Sequence, residues 1–382
     1  MTSEGNVLVI GAGQAGIATA LALKDAGVSA RVLDQADRVG SSWRGRYDRL
    51  RLNSSRWFSH LPDRPFPKGT PMFPSRDEFA AYLERHAGED GMEIRFGTRV
   101  ERIDRDGGGW TVETSAGQLR APQVVVATGY ESEPLIPDWS GLADFRRPLI
   151  HVRDYRNPQP YEGAKVLVVG PGCSGMEVAY DLAEGGAAKV WLSARTPPNI
   201  VLREGPAKLP GDVIALTLLR FPVGFADAFT RFGRRMDLGD LSEYGLPIPE
   251  EGVFARVHRL GVAPSIVDKE VIEAIKAGRV EVVRGVESLD ATAVHLADGA
   301  RIEPDAVICA TGYRRGLEPL LGHLDVLDER GRPQSVGAQA PAPGLRFIGF
   351  VPRPGAIGYT GKEAKRAAKA IARELRSAAA AT

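Results

Sequence analysis

"VLVIGAGQAGIATA" at residues 7–20 returns as "VLVVGPGCSGMEVA" at residues 166–179. Each is a short apolar run, a glycine-rich hexapeptide and the opening of a helix built of small residues. In the first, Gly11, Gly13 and Gly16 hold the G-x-G-x-x-G positions. The first glycine permits a tight turn and the second lets backbone approach a pyrophosphate. The third lets helix and strand pack closely, with the helix N-terminus facing the phosphates. Gly170, Gly172 and Gly175 repeat the arrangement. The strand "ARVLD" ends on Asp34, about 20 residues beyond the loop, where an acid bonds a ribose diol. In the second unit "KVWLSAR" ends on Arg195 instead. A carboxylate at that point repels a 2′-phosphate, whereas a guanidinium pairs with one. The first loop therefore suits a nucleotide with a free ribose diol, such as FAD, and the second suits NADPH. A solvated arginine at a strand end is the plain alternative for Arg195. The duplication reads as two dinucleotides, one delivering hydride and one receiving it.

Composition frames this reading. The 382 residues suffice for two or three domains, and 43% hydrophobic with 25% charged residues is ordinary globular usage. A net charge of +1 gives no bulk attraction to nucleic acid. The two cysteines, Cys173 and Cys309, form no C-x-x-C pair, so neither a disulfide framework nor dithiol chemistry is expected. No metal site is expected either. A strand by Val7 leaves no room for a signal peptide. The longest apolar run, "VIALTLLRFPVGF" at 213–225, is broken by Arg220 and Pro222 and falls short of the ~20 residues of a membrane span. The expectation is a cytoplasmic enzyme without integral membrane association, for which a homodimer is one compatible state.

Along the chain, residues 5–11 read as a buried strand followed by a helix ending at Gly27. "PSRDEFAAYLERHAG" carries Ser75 as N-cap, Glu78 three residues on and Gly88 as terminator. Short β-like runs with glycine-rich turns then lead to "VVVATGY". The second unit repeats strand, loop, helix and strand, and ends in "VICATGY". Residues 205–262 break the α/β rhythm as a mostly helical insertion. "SIVDKEVIEAIKAG" reads as a helix capped by Ser265 and Asp268, and the last helix as one opened by Thr360 and Glu363. The expected fold class is α/β, with two Rossmann-like dinucleotide-binding domains, a small β layer and a helical insertion. The FAD-binding domain begins at 1–158, the NADPH-binding domain occupies 159–297, and 298–382 completes the first.

Beyond the loops, likeness runs almost end to end. The segments are "LDQADRVGSSWRGRYDRLRLNSS" (33–55), "RPFPKGTPMFPSRDEFAAYLERHA" (64–87), "APSIVDKEVIEAIKAGRVEVV" (263–283) and "GLRFIGFVPRPG" (344–355). With them the chain resembles the flavin-containing monooxygenases, and among these the YUCCA-type enzymes. "FRRPLIHVRDYR" approximates the linker signature F-x-G-x-x-x-H with Phe145, His151, Tyr155 and Arg156, although Arg147 stands where glycine is usual. "GSSW" replaces the usual Gly-Gly. The resemblance implies that NADPH reduces FAD and that O₂ is trapped as a C4a-(hydro)peroxyflavin, which oxygenates a small organic substrate. The oxygen goes to nitrogen or sulfur, or attacks a carbonyl in Baeyer–Villiger insertion or oxidative decarboxylation of a 2-oxo acid. It also implies further cofactor contacts: Gln35, Trp43, Arg44, Leu52, Asn53, Ser54, Val100, Thr128, Gly129, Ser174, Thr196, Thr311, Gly312, Tyr313, Gly349 and Phe350.

Asn53 is the expected catalytic residue, since its carboxamide offers both donor and acceptor; by residue type alone, Asn-Ser-Ser is a turn. His151 reads either as an acid/base group or as a linker histidine that ties the domains, and the second is favoured. Cys173 lies at a helix N-terminus, which lowers a thiol pKa, yet there a small side chain is all the loop needs. Two rival functions stand beside the oxygenase. One is an NADPH reductase of the disulfide-reductase architecture without a dithiol; the other is a protein that binds both cofactors without turnover.

Overall fold

Val7–Ile10 and Lys165–Val169 are each flanked by parallel partners on both sides, as their unbroken apolar runs require. The computed structural model of the chain describes residues 6–380. The expected strand start at residue 5 lies outside them. The first sheet has the order Leu345–Phe347, Gln123–Val126, Val7–Ile10, Ala30–Leu33, Glu93–Arg95, all parallel. The second has the order Leu149–His151, Ala306–Cys309, Lys165–Val169, Lys189–Ala194, Glu281–Arg284, again all parallel. The two match strand for strand.

Each unit also carries a three-stranded antiparallel layer between its third and fourth parallel strands. In the first it is Val100–Asp106, Gly109–Thr114 and Gly117–Ala121; in the second, Val286–Leu289, Val294–Leu296 and Arg301–Ile302. Only the first of these was expected. The second is short, and its polar turns mask the alternation.

The fifth strand of the first sheet comes from the far side of the second unit in sequence, and that of the second sheet comes from the linker just before it. Leu149–His151 precedes the second unit, and Leu345–Phe347 follows it. The second sheet therefore draws on residues 149–309, wider at both ends than the expected 159–297. Composition could not show this, because an edge strand is assigned by its partner and not by its own residues.

Three helix expectations need correction. The helix Arg76–Glu89 has the Ser75–Glu78 capping box but runs past Gly88. Ser265 is not a cap; it begins the strand Ser265–Val267, which pairs with Ile200–Leu202 at the base of the insertion. Thr360 lies one turn inside the helix Ala356–Ala380, where its Oγ1 donates to the Ala356 carbonyl at 2.9 Å. Gly355, at φ +62°, starts that helix early. Glu363 is buried against Gly349, and burial pushes its carboxyl up to about 7. The insertion is helical as expected, with Gly211–Leu218, Val223–Leu238 and Val253–Leu260. Among the described residues no helix is long and apolar enough to cross a membrane.

Candidate active site

The two glycine turns are built alike, atom by atom. Gly11 has φ +107° and its N–H donates to the Leu33 carbonyl at 2.7 Å; Gly170 has φ +109° and donates to Ser193 at 3.0 Å. A Cβ on Gly11 would sit 2.6 Å from the Ala127 carbonyl oxygen, and one on Gly170 would sit 2.5 Å from that of Ala310. These alanines open the two "ATGY" stretches, so the repeated tetrapeptide is the wall against which each turn is pressed. Gly16 and Gly175 bring helix onto loop. Gly13 and Gly172 differ from all of these, since a Cβ there would meet nothing within 4 Å. That open space lies at the N-terminus of a helix in both units, and among the described residues no N-cap side chain accepts from the first backbone N–H groups. It is the shape and polarity a pyrophosphate needs. Beside the first turn, Thr128 Oγ1 and Arg44 Nε are buried without a partner among the described residues. The residues present fit a dinucleotide at each turn.

Asp34 ends its strand half-buried, and its carboxylate accepts from the backbone N–H groups of Ala12 and Ala36. It thereby braces the first turn. Gln35 is exposed beside it. Arg195 and Thr196 end the equivalent strand of the second unit and are both exposed, open to a ligand.

The chain passes between the units twice, and the two passages pair. Glu133–Pro134 runs antiparallel to Tyr313–Arg314. Gly129 and Gly312, at φ +81° and +87°, turn the chain into this ribbon. Thr311 Oγ1 donates to the Leu135 carbonyl. His151 is buried and satisfied at both ring nitrogens, with Nε2 on the Gly312 carbonyl at 3.0 Å and Nδ1 accepting from Arg153 N–H at 3.2 Å. Burial holds its pKa below the ordinary histidine value. This is a tie between elements, with no nitrogen left for proton transfer. Its ring stands edge-on to Tyr313 at 4.7 Å, and the Tyr313 hydroxyl accepts from Arg46 at 2.7 Å. Arg147 is exposed and its φ is not positive, so a glycine is not needed there.

At the seam between the units lies a buried polar network that sequence reasoning missed. Glu177, on the helix Cys173–Glu184, forms an ion pair with Arg203. Its other oxygen accepts from the Tyr47 hydroxyl. Arg203 reaches Asp268 at 3.4 Å, and its Nη2 donates to Asn53 Oδ1 at 3.3 Å. The Arg203 and Glu177 side chains are 2% and 5% exposed, so the pair is fully desolvated. Burial opposes the Arg203 charge, but Glu177 and Asp268 outweigh it and hold its pKa above normal. The Asn53 oxygen is thus turned to Arg203, and its Nδ2 makes no hydrogen bond among the described residues. The available signal was Glu177 itself, an acid on a helix whose neighbours are apolar or small. Its partner, 26 residues away just past the strand Ile200–Leu202, carried none.

The other expected contacts divide. Leu52 is buried and Ser54 Oγ pairs with Ser59 Oγ at 2.7 Å, flanking Asn53. Ser55 N–H and Oγ donate to Asp212 at 2.7 and 2.9 Å, which ties this segment to the insertion. Trp43 packs edge-on against Phe79 at 4.8 Å, and Arg44 donates to Glu84 at 2.6 Å. Val100 starts its antiparallel strand and packs with the cluster that includes Leu33. Gly349, at φ +86°, approaches Ala15 so closely that a Cβ would lie 2.7 Å from it. Phe350 turns into the core. Ser174 lies in the first turn of the second loop's helix. The Cys173 expectation needs correction. Its Sγ accepts from Ile266 N–H and donates to the Pro264 carbonyl, and burial pushes the thiol up to about 11. Cys309 is pushed up to about 12 by burial.

The family model described as pyridine nucleotide-disulphide oxidoreductase matches residues 8–200. Indole-3-pyruvate monooxygenase YUCCA1 of Oryza sativa subsp. japonica is 35% identical over 379 residues, covering 95% of this chain and 90% of that protein. Among solved structures, a flavin-containing monooxygenase from Stenotrophomonas maltophilia superposes with TM-score 0.73 at 23% identity, covering 98% and 99% of the two chains. A bacillithiol disulfide reductase from Bacillus cereus superposes with TM-score 0.69 at 20% identity, covering 97% and 99%. One fold thus serves oxygenase and reductase alike, and the residues must decide between them.

Proposed function

The chain belongs to the pyridine nucleotide-disulphide oxidoreductase family and, within it, to the YUCCA-type flavin monooxygenases, NADPH-dependent oxidoreductases that work with FAD; from that premise we propose that it oxygenates a small 2-oxo acid, with Asn53 as the catalytic residue. The relatives' name supports the substrate class, since indole-3-pyruvate is a 2-oxo acid. One observation carries the reading: a carboxamide whose oxygen is held by a buried arginine presents its N–H donors at the seam of two nucleotide units. The bound flavin, once reduced, supplies the oxygen-activating chemistry. The chain supplies the rest. Gly13 and Gly172 admit the two pyrophosphates, Asp34 takes the ribose diol, and Arg195 with Thr196 takes the 2′-phosphate. Asn53 Nδ2 donates to developing negative charge on oxygen. Leu52, Ser55, Arg203 and Glu177, all buried, keep bulk water from it, where a fixed donor is worth most.

For a 2-oxo acid the balance is one O₂, one NADPH and one proton consumed. NADP⁺, water, carbon dioxide and a carboxylic acid one carbon shorter are released. The protein works in the cytoplasm on this reading, with both thiols reduced. The reductase alternative is disfavoured because Cys309 is buried and Cys173 half-buried, desolvation raises the pKa of both thiols, and they form no disulfide.

The test supplies purified protein with NADPH and a series of aryl and alkyl 2-oxo acids, and quantifies carbon dioxide, product acid and peroxide. Carbon dioxide and acid matching the NADPH consumed is the expected result. Oxygenation of amines or thioethers with no 2-oxo acid turnover would reassign the substrate class. Peroxide as the sole product of every candidate would remove the oxygenase reading.

Arg195→Ala should raise the KM for NADPH tenfold or more, about 1.4 kcal/mol, with little change for NADH. Steady-state kinetics with both nucleotides checks it. An equal rise for both would take the 2′-phosphate away from Arg195.

A further inference from the structure

The helix Val223–Leu238 is pinned to the body by one face only. Ala226, Arg234 and Leu238 are buried, and Arg234 donates to the Leu246 carbonyl at 2.9 Å and to that of Pro198 at 3.2 Å. The opposite face carries Phe225, Phe229, Phe232 and Met236, which are 53%, 49%, 66% and 70% exposed. Leu219, Phe221 and Val223 extend the patch and are 43%, 48% and 46% exposed. From typical side-chain areas the patch comes to roughly 700 Å². That exceeds the ~300–600 Å² of the largest patch on a usual monomer and approaches the ~800 Å² each partner gives to a stable interface.

The spacing of the stripe fits a second copy of the same helix. Phe225, Phe229, Phe232 and Met236 follow one another at four, three and four residues. That interval reads the same in both directions. We propose that this face is the two-fold interface of a homodimer, in which the helix packs antiparallel on its own copy. A two-fold axis near the midpoint sets Phe225 against the partner's Met236 and Phe229 against the partner's Phe232, over about 16 Å of helix. Gly233 lies beside the stripe, and a Cβ there would meet nothing within 4 Å, so the facing backbone can come close. Arg231 and Arg235 line one flank, and the antiparallel pair brings that flank of each copy together. Added salt screens this repulsion and tightens the dimer.

The experiment is sedimentation velocity of the full-length, flavin-loaded protein across the micromolar range, at low and high salt, with Phe229→Glu and Phe232→Glu in parallel. The expected result is a wild-type dimer that strengthens with salt, and monomers for both variants at unchanged flavin content and melting temperature. A wild-type monomer throughout, or variants that remain dimers, overturns the proposal. So does a monomer that co-sediments with phosphatidylserine vesicles at low salt and is released at high salt, which would assign the stripe to an anionic lipid surface. Replacing surface-exposed Met236 with glutamate gives a third variant with the same expectation should either phenylalanine variant lose its flavin.

Discussion

Gly175→Ala is expected to abolish NADPH-dependent activity and to destabilise the second unit, whereas Gly172→Ala folds normally and loses the nucleotide alone. The two glycines lie three residues apart in one turn, yet their surroundings are opposite. A Cβ on Gly175 would stand 1.8 Å from the Gly170 carbonyl oxygen and 3.2 Å from Ala310 Cβ. Neither can give way without lifting the helix off the sheet, and overpacking of this kind costs about 3 kcal/mol or more. At Gly172 the backbone is extended, with φ −74° and ψ −178°, and the added methyl meets no protein atom. Alanine there leaves stability unchanged or raises it by up to about 1 kcal/mol. It does, however, stand where the pyrophosphate must approach. The expected cost is tenfold or more in KM for NADPH, with FAD content intact. Thermal melts, flavin absorbance and steady-state kinetics on both variants make the check. A Gly172→Ala protein with wild-type KM would mean that the second turn does not hold the nucleotide. The same contrast should hold between Gly16 and Gly13, where a Cβ would lie 1.7 Å from the Gly11 carbonyl oxygen or meet nothing within 4 Å. There the lost ligand is FAD.

Arg203→Met should cost about 3–5 kcal/mol of stability, because it strands Glu177 as an unpaired charge with 5% exposure. Restoring balance should recover much of it. Arg203→Met with Glu177→Gln leaves a neutral amide that still accepts from Tyr47, so the double variant should melt well above the single one. Activity should not recover with stability. Without Arg203 the Asn53 carboxamide has no partner fixing its oxygen, and it turns freely. The double variant is therefore expected to oxidise NADPH near the normal rate while releasing most of the reducing equivalents as peroxide. Chemical denaturation and the ratio of peroxide to oxygenated product measure the two effects separately. A stable double variant with full coupling would show that Arg203 serves packing alone.

The linker histidine illustrates how residue chemistry and surroundings divide the explanation. The residue type left His151 open between acid/base work and a structural tie, because imidazole suits both. Two backbone partners and burial decide it. The same holds for Cys173. Its position at a helix start argued for a lowered pKa, but desolvation by burial outweighs the Ile266 N–H that donates to the sulfur and raises it.

Local devices were legible because their causes are local. A G-x-G-x-x-G turn and a Ser75–Glu78 capping box depend on residues within a few positions of one another, and Asp34 and Arg195 each stand about 20 residues beyond their own loop within one strand–helix–strand unit. The repeat of the turn, together with "ATGY", sufficed to announce two nucleotide units. What needed the folded chain were relations between residues far apart in number. The first sheet takes its outer strand from beyond the second unit and the second sheet takes its own from the linker, Ser265 becomes a strand because Asn199 and Ile200 lie alongside, and Arg203 meets Asn53 across 150 positions of sequence. Such contacts are selected by burial and by the need to satisfy every buried charge, and those constraints act on the packed molecule and not on any window of its sequence.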